Sequence, residues 1–158
     1  TRSSTVSWGS EMCIRDSWQT GKYYEREMQA FLAAHPVANI WQGAFIDRMD
    51  YAYAAADLVL SRSGAGTVSE LCLVAKPVLF VPSPNVAEDH QTKNAKALEA
   101  KGAAVVVPDA EARTAAMRRA MELLSDKEAL RTMSENLEKL ARPDAAERIV
   151  DEIEKVMK

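Results

Sequence analysis

Apolar residues arrive along this chain in two rhythms. Three short runs, 57–61 (DLVLS), 77–81 (PVLFV) and 103–107 (AAVVV), are nearly unbroken. Unbroken apolar runs of that length mark strands buried on both faces rather than strands with one wet side. The rest follows a helical period. Tyr24, Met28, Phe31 and Leu32 predict a helix over 22–34, which Pro36 stops. A short strand is expected at 39–42, ending at Gly43, and Asp47 is placed to cap a helix over 48–55. Further helices are expected at 67–75 and at 88–101, the latter ending at Gly102. Three more follow. Met117, Ala120, Met121 and Leu124 mark the first, Leu130, Met133, Leu137 and Leu140 the second, and Ile149, Val150, Ile153, Val156 and Met157 the third, after Pro143.

Apolar strands alternating with amphipathic helices predict an α/β fold, a Rossmann-like parallel sheet with helices on both faces. Right-handed crossovers then put every strand-to-helix loop on one edge of the sheet. Ligands of such folds bind there, beyond the carboxyl ends of the strands.

Composition narrows the function classes. Apolar residues make up 47% of the chain and charged residues 27%, enough for a real core. A net charge of -3 with no basic stripe argues against a nucleic-acid partner. The longest apolar run, 52–60, is interrupted by Asp57 and falls far short of the roughly 20 residues that span a bilayer. No signal peptide is visible. Cys13 and Cys72 show no metal-ligand spacing and fit a reducing compartment, so a cytoplasmic location is expected.

Three loops at the expected edge carry candidate chemistry. The first, Gly43-Ala44-Phe45-Ile46-Asp47, offers an aromatic and backbone groups to a flat base; alternatively Phe45 is core and Asp47 a cap. The second, Ser61-Arg62-Ser63-Gly64-Ala65-Gly66-Thr67, joins a strand to a helix. Its glycines allow close backbone approach, and the helix N-terminus behind them suits a phosphate. It is neither a Walker A motif nor a GxGxxG fingerprint. Glu70, three residues after Thr67, is spaced either for a capping box or to accept hydrogen bonds from a ribose diol. The third loop, 83–91, packs polar groups into a helix start. There His90 and Gln91 are donors for sugar hydroxyls or phosphate, or else simply solvated beside a dipole-compensating Glu88 and Asp89. His35, before Pro36, is read as structural or solvent-exposed. Together the loops supply a base contact, a diphosphate contact, a diol acceptor and sugar-hydroxyl donors, the set a nucleotide-diphosphate sugar needs.

The run ADLVLSRSGAGTVSELCLVAKPVLFVPSPNVAEDHQTKNAKALEAKGAA, residues 56–104, resembles the donor-site segment of the MurG family of N-acetylglucosaminyltransferases. WQTGKYY at 18–24 and FIDRMDYAYAAAD at 45–57 extend the resemblance. It implies the C-terminal half of a GT-B glycosyltransferase, binding UDP-N-acetylglucosamine, with no cofactor and no metal. The resemblance assigns Phe45 and the Ile46 backbone to uracil. It assigns Ala65, Gly66 and Thr67 to the diphosphate, Glu70 to the ribose hydroxyls, and His90 and Gln91 to the sugar or phosphate. Arg62 adds positive charge nearby. The implied reaction is an inverting transfer of N-acetylglucosamine to the C4 hydroxyl of lipid I, giving lipid II in peptidoglycan synthesis. Catalytic residues are not assigned. The general base, the lipid I contacts and the membrane-touching patch are all expected in an N-terminal domain that this chain lacks.

The chain departs from the family pattern at its start. The GGS-type loop, the first strand and its helix are missing. Residues 1–17 (TRSSTVSWGSEMCIRDS) match nothing in the family and are read as a non-native junction or disordered, with residues 18–158 the truncated donor domain. Residues 1–20 are accordingly expected to pack poorly, and the chain to be less stable than a full domain. Two rival readings are another GT-B UDP-sugar enzyme, of the UDP-N-acetylglucosamine 2-epimerase kind, and a non-catalytic nucleotide-binding module.

Overall fold

The computed structural model describes residues 15–157. They divide into two units, one ending at Ala52 and the other starting at Tyr53. In the first unit, β1 (Asp16–Gln19), α1 (Gly21–Ala34) and β2 (Ile40–Gly43) form a β-α-β unit whose strands pair in parallel, Asp16 opposite Ile40 and Gln19 opposite Gly43. Helix α2 (Met49–Ala55) carries the chain across the division. Strand β1 is an element the hydrophobic pattern does not announce. Its sequence is DSWQ and all four residues are exposed, so pairing with β2 rather than burial makes it a strand. Asp16 and Ser17, within the expected junction, belong to it, while residues 1–14, including Cys13, lie outside the described residues.

The second unit holds β3 (Val59–Ser61), α3 (Ala65–Leu73), β4 (Val78–Phe80), α4 (His90–Glu99) and β5 (Val105–Val106). Helices α5 (Ala112–Ser125), α6 (Lys127–Glu138) and α7 (Ala145–Val156) follow. The strands form a parallel sheet in the order β3-β4-β5, with Leu79 opposite both Leu60 and Val105. Successive strand residues point to opposite faces, and Val78, Leu79 and Phe80 are all completely buried. Strand β4 is therefore covered on both sides, as its unbroken apolar run predicts. Leu71 of α3, Ala95 and Leu98 of α4, Ala116, Ala120 and Leu123 of α5, and Met133 and Leu137 of α6 complete the core.

Several local expectations shift. Helix α3 starts at Ala65, two residues before the expected 67, and α4 at His90 rather than 88, because Glu88 and Asp89 adopt left-handed backbone (φ 55° and 52°). At the start of α2 the Arg48 carbonyl takes the first helical bond, from Ala52 N, so Arg48 and not Asp47 holds the cap position. In α5 the buried stripe is Ala116, Ala120 and Leu123, whereas Met117 is exposed. Two alanines on that stripe let the helix approach closely, which a count of large apolar residues misses. Helix α7 forms as expected, but its apolar residues Ile149, Val150, Ile153, Val156 and Met157 are all exposed. Among the described residues, no helix is long and apolar enough to cross a membrane.

Candidate functional site

Parallel strands bring their carboxyl ends to one edge, so the loops after β3, β4 and β5 are neighbours by construction. The loop after β3 leads straight into α3. Gly64 is the N-cap residue, in extended backbone (φ -63°, ψ 151°), and no side chain caps the helix. The N–H of Val68 makes the first helical bond, to the Gly64 carbonyl, at 3.0 Å. Ala65, Gly66 and Thr67 thus occupy the first three helical positions, where N–H groups lack intrahelical partners. Ala65 and Gly66 are exposed and Thr67 half-buried. A Cβ built on Gly64 or Gly66 would meet no protein atom within 4 Å, and neither residue has a positive φ. Neither internal crowding nor backbone strain requires glycine there. Without side chains, both leave the backbone open to close approach.

This start position also removes one of the two readings of Glu70, the capping box. With Gly64 as cap, Thr67 is the third helical residue and no capping box between Thr67 and Glu70 exists. Instead the exposed Glu70 carboxylate accepts a hydrogen bond at Oε2 from the Tyr53 hydroxyl, 3.1 Å away. Burial, with Glu70 adding to it, pushes the Tyr53 phenol above its usual range. The hydroxyl therefore stays a donor and holds the carboxylate in place.

The start of α4 is tied down on two sides. Gln91 Oε1 accepts from the Ser83 N–H at 2.9 Å, so its amide NH2 is the group not used in that bond. The Gln91 carbonyl accepts from Ser63 Oγ at 2.8 Å, and Asn94 Nδ2 donates to the Ser63 carbonyl at 3.1 Å. His90 Nδ1 lies 2.8 Å from the Ala87 carbonyl. A carbonyl can only accept, so Nδ1 carries a proton, and Nε2 of the neutral ring is an acceptor. His90 is thereby suited to receive a hydrogen bond from a sugar hydroxyl, and it donates through Nε2 only when protonated. That reverses the donor role expected from sequence for the neutral ring.

Arg62 sits at the same edge with a different job. Its Nη1 donates to the carbonyls of Val81 and Pro82, at 3.0 and 3.2 Å, and pairs with Asp109 beyond β5. It binds together the ends of three strands, and Asp109 offsets its charge.

In the first unit, Phe45 is 56% exposed, so the core reading of that residue fails. The Lys22 ammonium lies 5.8 Å from its ring centroid. The Ile46 N–H, 2.9 Å from Gln19 Oε1, is engaged by that side chain. Sequence reasoning missed Gln19, Tyr53, Ser63, Asn94 and Asp109 as parts of these arrangements. All but Asp109 lie within the motifs that carry the family resemblance, but nothing in their spacing marks any of them as a partner. Two concavities of about 380 and 570 Å3 lie elsewhere, one along β5 and α5 and one along the apolar face of α7.

A parallel sheet wrapped by helices, with an uncapped helix start behind a glycine loop, defines a Rossmann-like fold of the kind in GT-B glycosyltransferases. The family model described as "Glycosyltransferase family 28 C-terminal domain" matches residues 14–149, and the chain belongs to that family. It is 54% identical over 140 residues to the UDP-N-acetylglucosamine--N-acetylmuramyl-(pentapeptide) pyrophosphoryl-undecaprenol N-acetylglucosamine transferase of Parabacteroides distasonis, covering 89% of this chain and 38% of that protein. The protein of the same name from Porphyromonas gingivalis is 52% identical, covering 89% and 37%. Among solved structures, Acinetobacter baumannii MurG superposes with a TM-score of 0.77 at 34% identity, over 89% of this chain and 43% of that one. The glycosyltransferase VinC, solved in complex with dTDP, has a TM-score of 0.59 at 14% identity, over 82% and 38%, and bears on the fold alone. The chain spans about two fifths of the length of the curated relatives it matches.

Proposed function

We propose that this chain binds UDP-N-acetylglucosamine as the donor half of an enzyme that transfers N-acetylglucosamine to lipid I on the cytoplasmic face of the membrane. The observation that carries the reading is the α3 start, where uncapped N–H groups at Ala65, Gly66 and Thr67 precede, by one turn, a Glu70 carboxylate free of any capping role. Those N–H groups and the helix dipole would receive the donor's diphosphate and stabilise the charge that grows on it as UDP leaves. Glu70 would accept the two ribose hydroxyls. His90 Nε2 and the Gln91 amide would meet the sugar hydroxyls. In the first unit, Phe45 and the Ile46 backbone are assigned to uracil, with Gln19 releasing the Ile46 N–H on binding. Arg62 is assigned to holding the loops rather than to the phosphates. The general base and the lipid I contacts belong to the remaining length of such an enzyme, as does its membrane contact.

Calorimetric titration of this chain with UDP tests the reading. Two hydrogen bonds to a carboxylate make Glu70→Ala cost about 1.5–3 kcal/mol, roughly 10- to 100-fold in affinity. The loss should vanish with 2′,3′-dideoxy-UDP. Tyr53→Phe, which keeps the carboxylate, should cost far less. Equal loss with both nucleotides would remove Glu70 from the ribose.

A further inference from the structure

Ser63 is a completely buried polar residue immediately before the α3 cap. Both its polar groups face the first turns of α4: its hydroxyl donates to the Gln91 carbonyl, at 2.8 Å, and its carbonyl accepts from Asn94 Nδ2, at 3.1 Å. These two bonds are unlike the others at this edge. They join the helix start assigned to diphosphate directly to the helix start assigned to the sugar, without passing through a strand. Gln91 then carries the linkage on to the β4–α4 loop through the Ser83 N–H.

We propose that Ser63 and Asn94 form a positioning latch. It sets the distance between the N–H groups at Ala65–Thr67 and the His90–Gln91 pair, and so determines that a diphosphate bearing a sugar is preferred over a bare one. The proposal rests on the donor-binding reading above and deepens it. Neither residue touches the ligand. The Gln91 carbonyl is a helical one with its own i+4 partner, so satisfying it does not require Ser63. The hydroxyl of Ser63, in contrast, has no water to turn to. A merely structural serine would change stability and both affinities together. A latch changes the part of the affinity that the sugar contributes.

The test compares UDP with UDP-N-acetylglucosamine on the full 158-residue chain, for wild type, Ser63→Ala and Asn94→Asp. Asn94→Asp keeps the shape, replaces the donor with an acceptor and adds a negative charge. UDP and UDP-N-acetylglucosamine, both diphosphates, meet that charge alike, so the ratio of their affinities is the readout. Loss of one or two well-placed sugar contacts corresponds to about tenfold or more. UDP-N-acetylglucosamine should weaken by that factor in both variants and UDP by less than about threefold, so the sugar's advantage collapses. Amide exchange at Ser83 should accelerate while that of Leu79 and Phe80 does not. Equal weakening of both ligands overturns the latch and leaves donor binding standing, as does no weakening of either. Wild-type protein that binds neither ligand overturns donor binding and the latch with it. If Ser63→Ala fails to fold, Asn94→Asp carries the test; failure of both to fold marks the pair as structural and overturns the proposal.

Discussion

Helices α3 and α4 end in the same way but with different residues, and this makes a paired prediction. At the end of α3, the Lys76 N–H bonds back to the Leu71 carbonyl and the Ala75 N–H to Cys72, both at 3.2 Å. At the end of α4, the Ala103 N–H reaches Leu98 at 3.0 Å and the Gly102 N–H reaches Glu99 at 2.9 Å. Each is a Schellman motif, which needs a left-handed residue just past the cap. Gly102 fills it at φ 63°, but Ala75 fills it at φ 49°. An L-residue with a Cβ pays about 1–2 kcal/mol for that conformation. Glycine avoids the cost but gives back about 0.5–1 kcal/mol in unfolded-chain entropy.

Ala75→Gly should therefore stabilise the chain by about 0.5–1 kcal/mol, since the half-buried methyl contributes only a few tenths. The melting temperature should rise by about 1–4 °C. Gly102→Ala should do the reverse and somewhat more, about 1–2 kcal/mol. Its new Cβ would lie 3.1 Å from Asn136 Nδ2, and that amide also donates to the Gly102 carbonyl. Urea unfolding followed by circular dichroism measures both, with midpoints moving in opposite directions and slopes unchanged. If Ala75→Gly lowers the midpoint, the Ala75 carbonyl bond to Ser134 Oγ, at 2.7 Å, is holding the turn without strain and the reasoning fails.

Leu137→Ala, at a fully buried position, should cost about 2–5 kcal/mol, whereas Ile153→Ala on the exposed face of α7 should stay within about 0.5 kcal/mol; similar midpoint losses in urea would mean the two faces are equally packed. Phe45→Ala should leave unfolding unchanged and weaken UDP about tenfold or more, the worth of one base stacked on an aromatic ring; unaltered titration would take the base away from Phe45. Burial raises the Cys72 thiol, and burial with Glu70 raises the Tyr53 phenol. Both groups ionise more readily unfolded, so their stability contribution is complete below the ordinary thiol and phenol ranges and is lost as pH rises through the raised values. Unfolding midpoints should fall alkaline of about pH 8.5, less steeply in Tyr53→Phe, and an identical slope in that variant would show the phenol plays no part.

The fold was legible wherever burial wrote a pattern. Strand β4 stands in the sequence because Val78, Leu79 and Phe80 are enclosed on both faces. Strands β3 and β5 carry similar apolar runs, yet Leu60 of β3 is exposed and β5 is only half-buried, because they flank β4 in the sheet. Strand β1 was illegible for the converse reason. Nothing buries DSWQ, so no apolar rhythm precedes it, and only its partner Ile40–Gly43 makes it a strand. The α3 start was misjudged because Thr67 with Glu70 imitates a capping box, while the true cap, Gly64, has no side chain with which to announce itself.

The candidate site divides along a similar line. Glu70, His90 and Gln91 could be picked out because they sit within the first two turns of a helix, a local relation that spacing records. What fixes them could not. Tyr53 reaches Glu70 across 17 positions, Ser63 reaches Gln91 across 28, Asn94 reaches Ser63 across 31, and Arg62 reaches Asp109 across 47. Each of these bonds exists only after β3, β4 and β5 have aligned their carboxyl ends. The groups offered to a ligand belong to local sequence, and the groups that aim them belong to the assembled sheet. A substitution at Ser63 or Asn94 should therefore disturb recognition more than its distance from any ligand-facing atom would imply, and the sugar's share of the affinity is where that disturbance will register.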